Sequence, residues 1–233
     1  MHHLVSRLAW LCGATLLFGG ASAPLLHAQK DFSDREATAG LTAGAEFNGG
    51  ASLIIKPPEG RKLAPIFAWR AGLAMSYPLA PVISAGLSLG LDSRGTELHY
   101  PDASEFYTIS RVTYFSITPS FSFRAFYLGL NMGIPMSGSN TSRSGQLAAE
   151  NSVDMTDAEF EKVEFLLEPR IGAVIPLLDD ENGWLGLNIT AGYSLTTLFD
   201  YGEGAADVIG DYHMASLHLG VTYQLAIPGT RRK

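Results

Sequence analysis

The chain has 233 residues, room for one domain or two small ones, with 46% hydrophobic residues and a formal net charge of −7. Its one cysteine, Cys12, lies in the first 28 residues, so the remainder can form neither a disulfide framework nor a thiolate catalytic or metal site. The acidic balance, with no basic stripe beyond Arg231, Arg232 and Lys233, argues against a nucleic-acid partner.

The N-terminus reads as a secretory signal. His2, His3 and Arg7 precede an apolar run over 8–20, and a small-residue region follows over 21–28. Cleavage after Ala28 leaves Gln29 as the first residue, whereas cleavage after Ala23 would place Pro24 at the disfavoured next position. The expectation is a leader over 1–28 and a single domain over 29–233. No later stretch approaches the about 18 apolar residues of a membrane helix, so any membrane crossing must use strands.

Period-two alternation runs through most of the remaining chain. It predicts eight strands over 37–48, 64–77, 82–93, 109–123, 125–136, 162–176, 184–198 and 212–226. In the third, Ile83, Ala85, Leu87, Leu89 and Leu91 alternate with Ser84, Gly86, Ser88 and Gly90. In the seventh, Leu185, Leu187, Ile189, Ala191, Tyr193 and Leu195 alternate with Gly186, Asn188, Thr190, Gly192, Ser194 and Thr196. The eighth repeats the pattern from His213 to Ile227. A helix does not keep one chemistry on every second residue. Most segments exceed the usual five or six residues of soluble strands and match the about 9–11 needed to cross a bilayer at a tilt.

Connections alternate in length. Short turns are expected at Tyr77-Pro78-Leu79-Ala80-Pro81, at Arg124 and over 177–183; longer loops are expected over 49–63, 94–108, 137–161 and 199–211. In the third loop Thr156 precedes Asp157-Ala158-Glu159, a capping-box pattern for a short helix over 157–162. The fold class that follows is all-β, an eight-stranded antiparallel up-and-down transmembrane β-barrel. The short turns and both termini would then be periplasmic, in a bacterial outer membrane.

Parity also sorts the charges. Val163, Phe165, Leu167, Pro169, Ile171, Ala173 and Ile175 share one side of the sixth segment, with Glu164, Glu168 and Arg170 on the other. Glu46, Arg70 and Arg124 fall with the small polar set. Three acids and three bases are thus expected inside a barrel whose lumen is only wide enough for side chains. Buried ions must pair, so a structural charge network is the expected role. Aromatic residues near segment ends, among them Phe47, Trp69, Tyr77, Phe115, Phe123 and Trp184, are expected to form girdles at the membrane interfaces.

Specific stretches carry a family likeness: Tyr77-Pro78-Leu79 before an alternating strand, Leu91-Asp92-Ser93-Arg94-Gly95-Thr96-Glu97-Leu98 entering a long loop, and Phe126-Tyr127-Leu128-Gly129-Leu130-Asn131-Met132-Gly133-Ile134-Pro135 in mid-barrel. With these the chain resembles the small outer-membrane β-barrels, those like the OmpA transmembrane domain and the PorT-like barrels. The resemblance implies location and fold, and no single activity. One departure is the last strand: many such barrels finish on an aromatic residue, whereas here Tyr223-Gln224-Leu225-Ala226-Ile227 continues to Lys233.

Candidate chemistry is sparse. His218 and Ser216 share the inner face two residues apart, but a hydrolytic triad needs a third, orienting group and a defined geometry. His99 and His213 are the other histidines of the strand region. Acidic groups at Asp154, Asp157, Glu159 and Glu161, and at Asp200, Glu203, Asp207 and Asp211, lack the spacing of a calcium loop. No catalytic, cofactor or metal site is therefore assigned. The expectation is a non-enzymatic, monomeric barrel with a filled lumen, surrounded by outer-membrane lipids and acting structurally or through long loops that bind a protein partner in adhesion or secretion. The alternatives are a soluble lipocalin-like binding barrel, with apolar faces inward, and an outer-membrane lipid-modifying enzyme.

Overall fold

A computed structural model describes residues 40–55, 62–80, 82–100, 103–144, 150–179, 182–199, 213–228 and 230. The leader with its Ala28 junction, and the acidic group Asp200, Glu203, Asp207 and Asp211, lie outside the described residues.

Among the described residues ten strands and one helical turn follow one another. They are β1 (Thr42–Ile54), β2 (Lys62–Ala64), β3 (Ile66–Ala80), β4 (Ile83–Tyr100), β5 (Ala103–Phe123), β6 (Phe126–Ser144), β7 (Asn151–Asp154), α1 (Asp157–Phe160), β8 (Leu166–Asp179), β9 (Gly183–Thr197) and β10 (His213–Ala226). Eight of them close a ring in the order β1, β3, β4, β5, β6, β8, β9, β10 and back to β1, every pairing antiparallel. β2 lies beside the outer part of β4, and β7 folds back on the outer part of β6. The chain is an eight-stranded antiparallel β-barrel.

Closure follows from local chemistry. Each strand is amphipathic at period two, and bending the sheet into a ring pairs every edge. The apolar set points outward: Leu73, Phe121, Phe126, Leu128, Ile171 and Leu217 are all exposed. The polar set points inward, so that Asn131, Glu168 and Ser216 are buried. A soluble lipocalin-like barrel requires the opposite orientation. An exterior of this kind suits hydrocarbon, where closed barrels also satisfy every backbone group.

The strands run further than alternation indicates. β4 and β5 pair from Ile83↔Phe123 to Tyr100↔Ala103, so most of the loop expected over 94–108 is sheet. β1 likewise continues to Ile54 and β6 to Ser144. Beyond the apolar band both faces carry polar residues, such as Glu97 and Arg111. The period-two signal therefore disappears although the ladder goes on.

The end of the barrel opposite the short turns is capped. β7 leads Met155 back over the mouth, its N–H donating to the Gly138 carbonyl at 2.9 Å. Met155, Val163 and Leu166 then pack with Ile54, Val112, Tyr114, Leu198 and Met214 in the apolar core. α1 is a single turn, shorter than the helix expected over 157–162, and Glu159 accepts from the Thr156 N–H at 2.9 Å and hydroxyl at 3.0 Å.

Candidate functional site

The lumen is the site that the ladder builds, and it is layered. Under the apolar cap lies an ionic cluster. Asp92 and Arg94 come from β4, Glu168 and Arg170 from β8; all four are buried, Arg94 to 0% exposure. Arg94 Nε and Nη2 donate to the Asp92 carboxylate at 2.7 and 2.8 Å, and its Nη1 and Nη2 to Glu168 at 2.5 and 2.8 Å. Arg170 donates from Nε to Glu168 and from Nη2 to Asp92, each at 2.6 Å. Two arginine forks thus bridge the same two carboxylates from both sides. The fork geometry matches carboxylate planes in a way an ammonium cannot.

Neutral neighbours complete the cluster. Asn131 Nδ2 donates to Asp92 at 3.1 Å, Thr118 donates to Asn131 Oδ1 at 2.8 Å, and Ser216 donates to Glu168 at 2.7 Å. The Ser216 hydroxyl therefore serves Glu168, and no Ser216–His218 hydrogen bond forms. Gly192 makes room: a Cβ there would stand 2.3 Å from Glu168 Oε1. Charges removed from water are tolerable only when paired and hydrogen-bonded in this way.

Nearer the short turns, Arg70 Nε lies 3.0 Å from Glu46 Oε1, and Ser88 bridges the two, accepting from Arg70 Nη2 at 2.7 Å and donating to Glu46. Lower still, the Thr42 hydroxyl donates to Gln224 Oε1 at 2.5 Å beside Ser76. Polar side chains thus occupy the lumen from its short-turn end to the cap, with a cavity of about 110 Å³ in the short-turn half.

Four of the six residues expected inside are there: Glu46 with Arg70, and Glu168 with Arg170. The other two are elsewhere. Arg124 is exposed in the β5–β6 turn with φ 54°, its guanidinium 5.7 Å from the Phe123 ring centre. Turn geometry takes it out of strand parity. Glu164 precedes β8 in the segment crossing the mouth, and accepts from the Thr197 N–H and hydroxyl, both at 3.0 Å. Asp92 and Arg94 take their places. Counting parity two and four residues beyond Gly90 would have found them.

The aromatic set divides similarly. Phe47, Tyr77, Phe115 and Phe123 are exposed on the outer face, and Trp69 is half-buried there. Tyr77 and Phe123 lie at the short-turn edge of the apolar band. Phe47 and Phe115 sit level with Ala71 and Leu91, further from the turns. Trp184 is no part of a girdle. It has the parity of Gly186 and Asn188 and lines the cavity. His213 faces outward, stacked on Tyr193, and its Nδ1 is 3.0 Å from the Ser194 carbonyl. Among the described residues no three His, Cys, Asp or Glu side chains converge as a metal site, the group around Asp154, Asp157, Glu159 and Glu161 included.

No protein-family description matches the sequence, and no curated protein matches it. Solved structures do resemble the fold, and they are outer-membrane β-barrel proteins. Ail, the attachment invasion locus protein of Yersinia pestis, solved with the heparin analogue sucrose octasulfate, is 15% identical over 79% of this chain and 99% of its own, with a TM-score of 0.39. Neisserial surface protein A is 8% identical over 80% and 97%, TM-score 0.36. The outer membrane protein OprG from Pseudomonas aeruginosa is 10% identical over 82% and 98%, TM-score 0.32.

Proposed function

We propose that this chain is a closed, non-conducting barrel of the bacterial outer membrane, with its short turns and both termini periplasmic, that works through the sheet and loops projecting on the other side. The observation that carries this reading is the lumen. Two arginines and two carboxylates lock it across its width, and an apolar core seals the mouth above them. An ion passing through would have to break four buried charge contacts and cross an apolar plug, which is unfavourable at both steps.

The projecting part offers the alternative surface for work. β5 has 21 residues, about ten more than a bilayer crossing needs. The excess of β4 and β5 forms a hairpin held beyond the apolar band, where Glu97, His99, Tyr107 and Arg111 are partly exposed. A rigid hairpin of this kind is a platform for a protein partner, in adhesion or as part of a secretion assembly. The lumen residues support that platform and take no part in chemistry.

Planar-bilayer recording of the refolded protein, together with membrane fractionation, tests the reading. The expected result is a heat-modifiable band in outer-membrane fractions and no stable open level. A sustained ohmic pore, or recovery of the protein in the soluble periplasmic fraction, would overturn it.

A further inference from the structure

The sheet that projects beyond the barrel mouth has its strands in the order β2, β4, β5, β6, β7. Its two edges differ. β2 carries Lys62 and leads into Pro65, residues that discourage further pairing at a sheet edge. β7 has neither lysine nor proline: it reads Asn151-Ser152-Val153-Asp154, and all four residues are exposed. Among the described residues β7 pairs with β6 alone.

The free side of β7 can be assigned residue by residue. The Met155 N–H donates to the Gly138 carbonyl at 2.9 Å, and the ladder continues in the same register from Ser139↔Asp154 to Ser142↔Asn151. Antiparallel pairs alternate between those that exchange backbone bonds and those that do not. Val153 and Asn151 therefore bond to β6, as Met155 does. The N–H and C=O groups of Ser152 and Asp154 point away from the sheet, and nothing among the described residues bonds to them. Unpaired backbone of this kind is a template for another strand.

Charge selects the occupant. From Glu150 to Glu164 there are six acids and one base, Lys162. Asp154 lies on the face of Ser152, to which the Thr141 hydroxyl donates at 3.0 Å, and on that face Tyr107 donates to Glu150. Val153, 54% exposed, is on the opposite face. A strand laid along β7 thus meets acids on one face and an apolar side chain on the other. Cations opposite Ser152 and Asp154, with an apolar residue opposite Val153, form the complementary pattern.

We propose that β7 is a docking edge for an extended, basic segment of a partner polypeptide, which adds to the projecting sheet as a further antiparallel strand. Ser152 and Asp154 each exchange two backbone bonds with it, and alternating basic and apolar side chains match the two faces. The inference rests on the projecting sheet being a platform for a protein partner; it names the element used and the chemistry of the partner.

The test is amide NMR and hydrogen exchange on the isotope-labelled, processed barrel in phosphatidylcholine nanodiscs, titrated with a capped peptide of alternating lysine and valine. The Ser152 and Asp154 amides should shift and exchange more slowly, while the Val153 amide, already bonded to β6, keeps its exchange rate. Methylating the lysine amides of the peptide should weaken binding roughly tenfold, whereas methylating the valine amides should leave it unchanged. Asp154→Asn should weaken it about threefold. Ser152→Pro removes an outward donor and no bond to β6, so it should abolish docking; a heat-modifiability gel verifies folding. Unchanged Ser152 and Asp154 amides at saturating peptide, equal binding of a glutamate–valine peptide, or full binding of the lysine-methylated peptide would overturn the proposal. Protection of both amides before any peptide is added would do the same, marking a second copy of the chain on this edge. Each of these results leaves the closed-barrel reading standing, because conductance and fractionation decide that separately.

Discussion

Arg94→Met isolates the energetics of the lumen. The substitution keeps an unbranched side chain of similar reach but removes four charge-assisted hydrogen bonds. Asp92 and Glu168 are then left to share Arg170, two buried carboxylates against one guanidinium. Stripping one partner from a buried ion pair costs about 3–5 kcal/mol, chiefly because the remaining charge stays uncompensated. Arg94→Lys retains the charge without the fork and should cost less, about 1.5–3 kcal/mol for the hydrogen bonds it cannot reproduce. The informative variant is Arg94→Met with Glu168→Met. It leaves the 2.6 Å Arg170–Asp92 pair intact and charge-balanced. It should therefore be more stable than Arg94→Met alone, with a clear coupling energy between the sites. Urea unfolding in lipid vesicles, followed by the fluorescence of Trp69 and Trp184 and by gel mobility, gives the free energies. Raising the salt should change them little, since the cluster is out of reach of screening. A cost for Arg94→Met below about 1 kcal/mol, or strict additivity in the double variant, would refute the reasoning.

Gly192→Ala should destabilise the barrel by about 1–3 kcal/mol, because the added methyl displaces a Glu168 carboxylate fixed on both oxygens; the urea midpoint measures it. Arg124→Gly should raise that midpoint slightly, recovering up to about 1–2 kcal/mol of left-handed backbone cost, whereas Arg124→Ala should give no such gain. Outside the membrane, the Thr156 N–H and hydroxyl hold Glu159 below its ordinary value of 4.5. A depressed carboxylate contributes fully above the ordinary value and loses its contribution as pH falls through the lower folded-state value. The Thr156 amide chemical shift should accordingly titrate with a midpoint below 4.5, and Glu159→Gln should abolish that titration.

Alternation along the chain was enough to find the barrel strands and their faces. Leu87 and Ser88, or Leu187 and Asn188, already declare which side meets lipid and which meets the lumen. The pattern failed where its physical cause was missing. From Arg94 to Tyr100 both faces lie beyond the hydrocarbon, so a paired strand looks like a loop and the buried Arg94 looks like a loop residue; Asp92 stands at the end of the predicted strand, on the same face as Ser88 and Gly90. Trp184 is legible by parity as a lumen residue, yet its place at a strand end points equally to a girdle.

Period two is a local property: it depends on neighbours along the chain and on the two media the strand divides. It therefore carried the strand count, the inward and outward sets and the need for charges to balance. Which charges meet is another matter. Arg94 and Glu168 are 74 residues apart, and they touch because register and closure bring β4 opposite β8 across the lumen. The departures of Arg124 into a turn and Glu164 onto the cap, and the apolar plug, are likewise products of how the ring closes. Closure sums small offsets over every hairpin, and no single strand's alternation contains that sum.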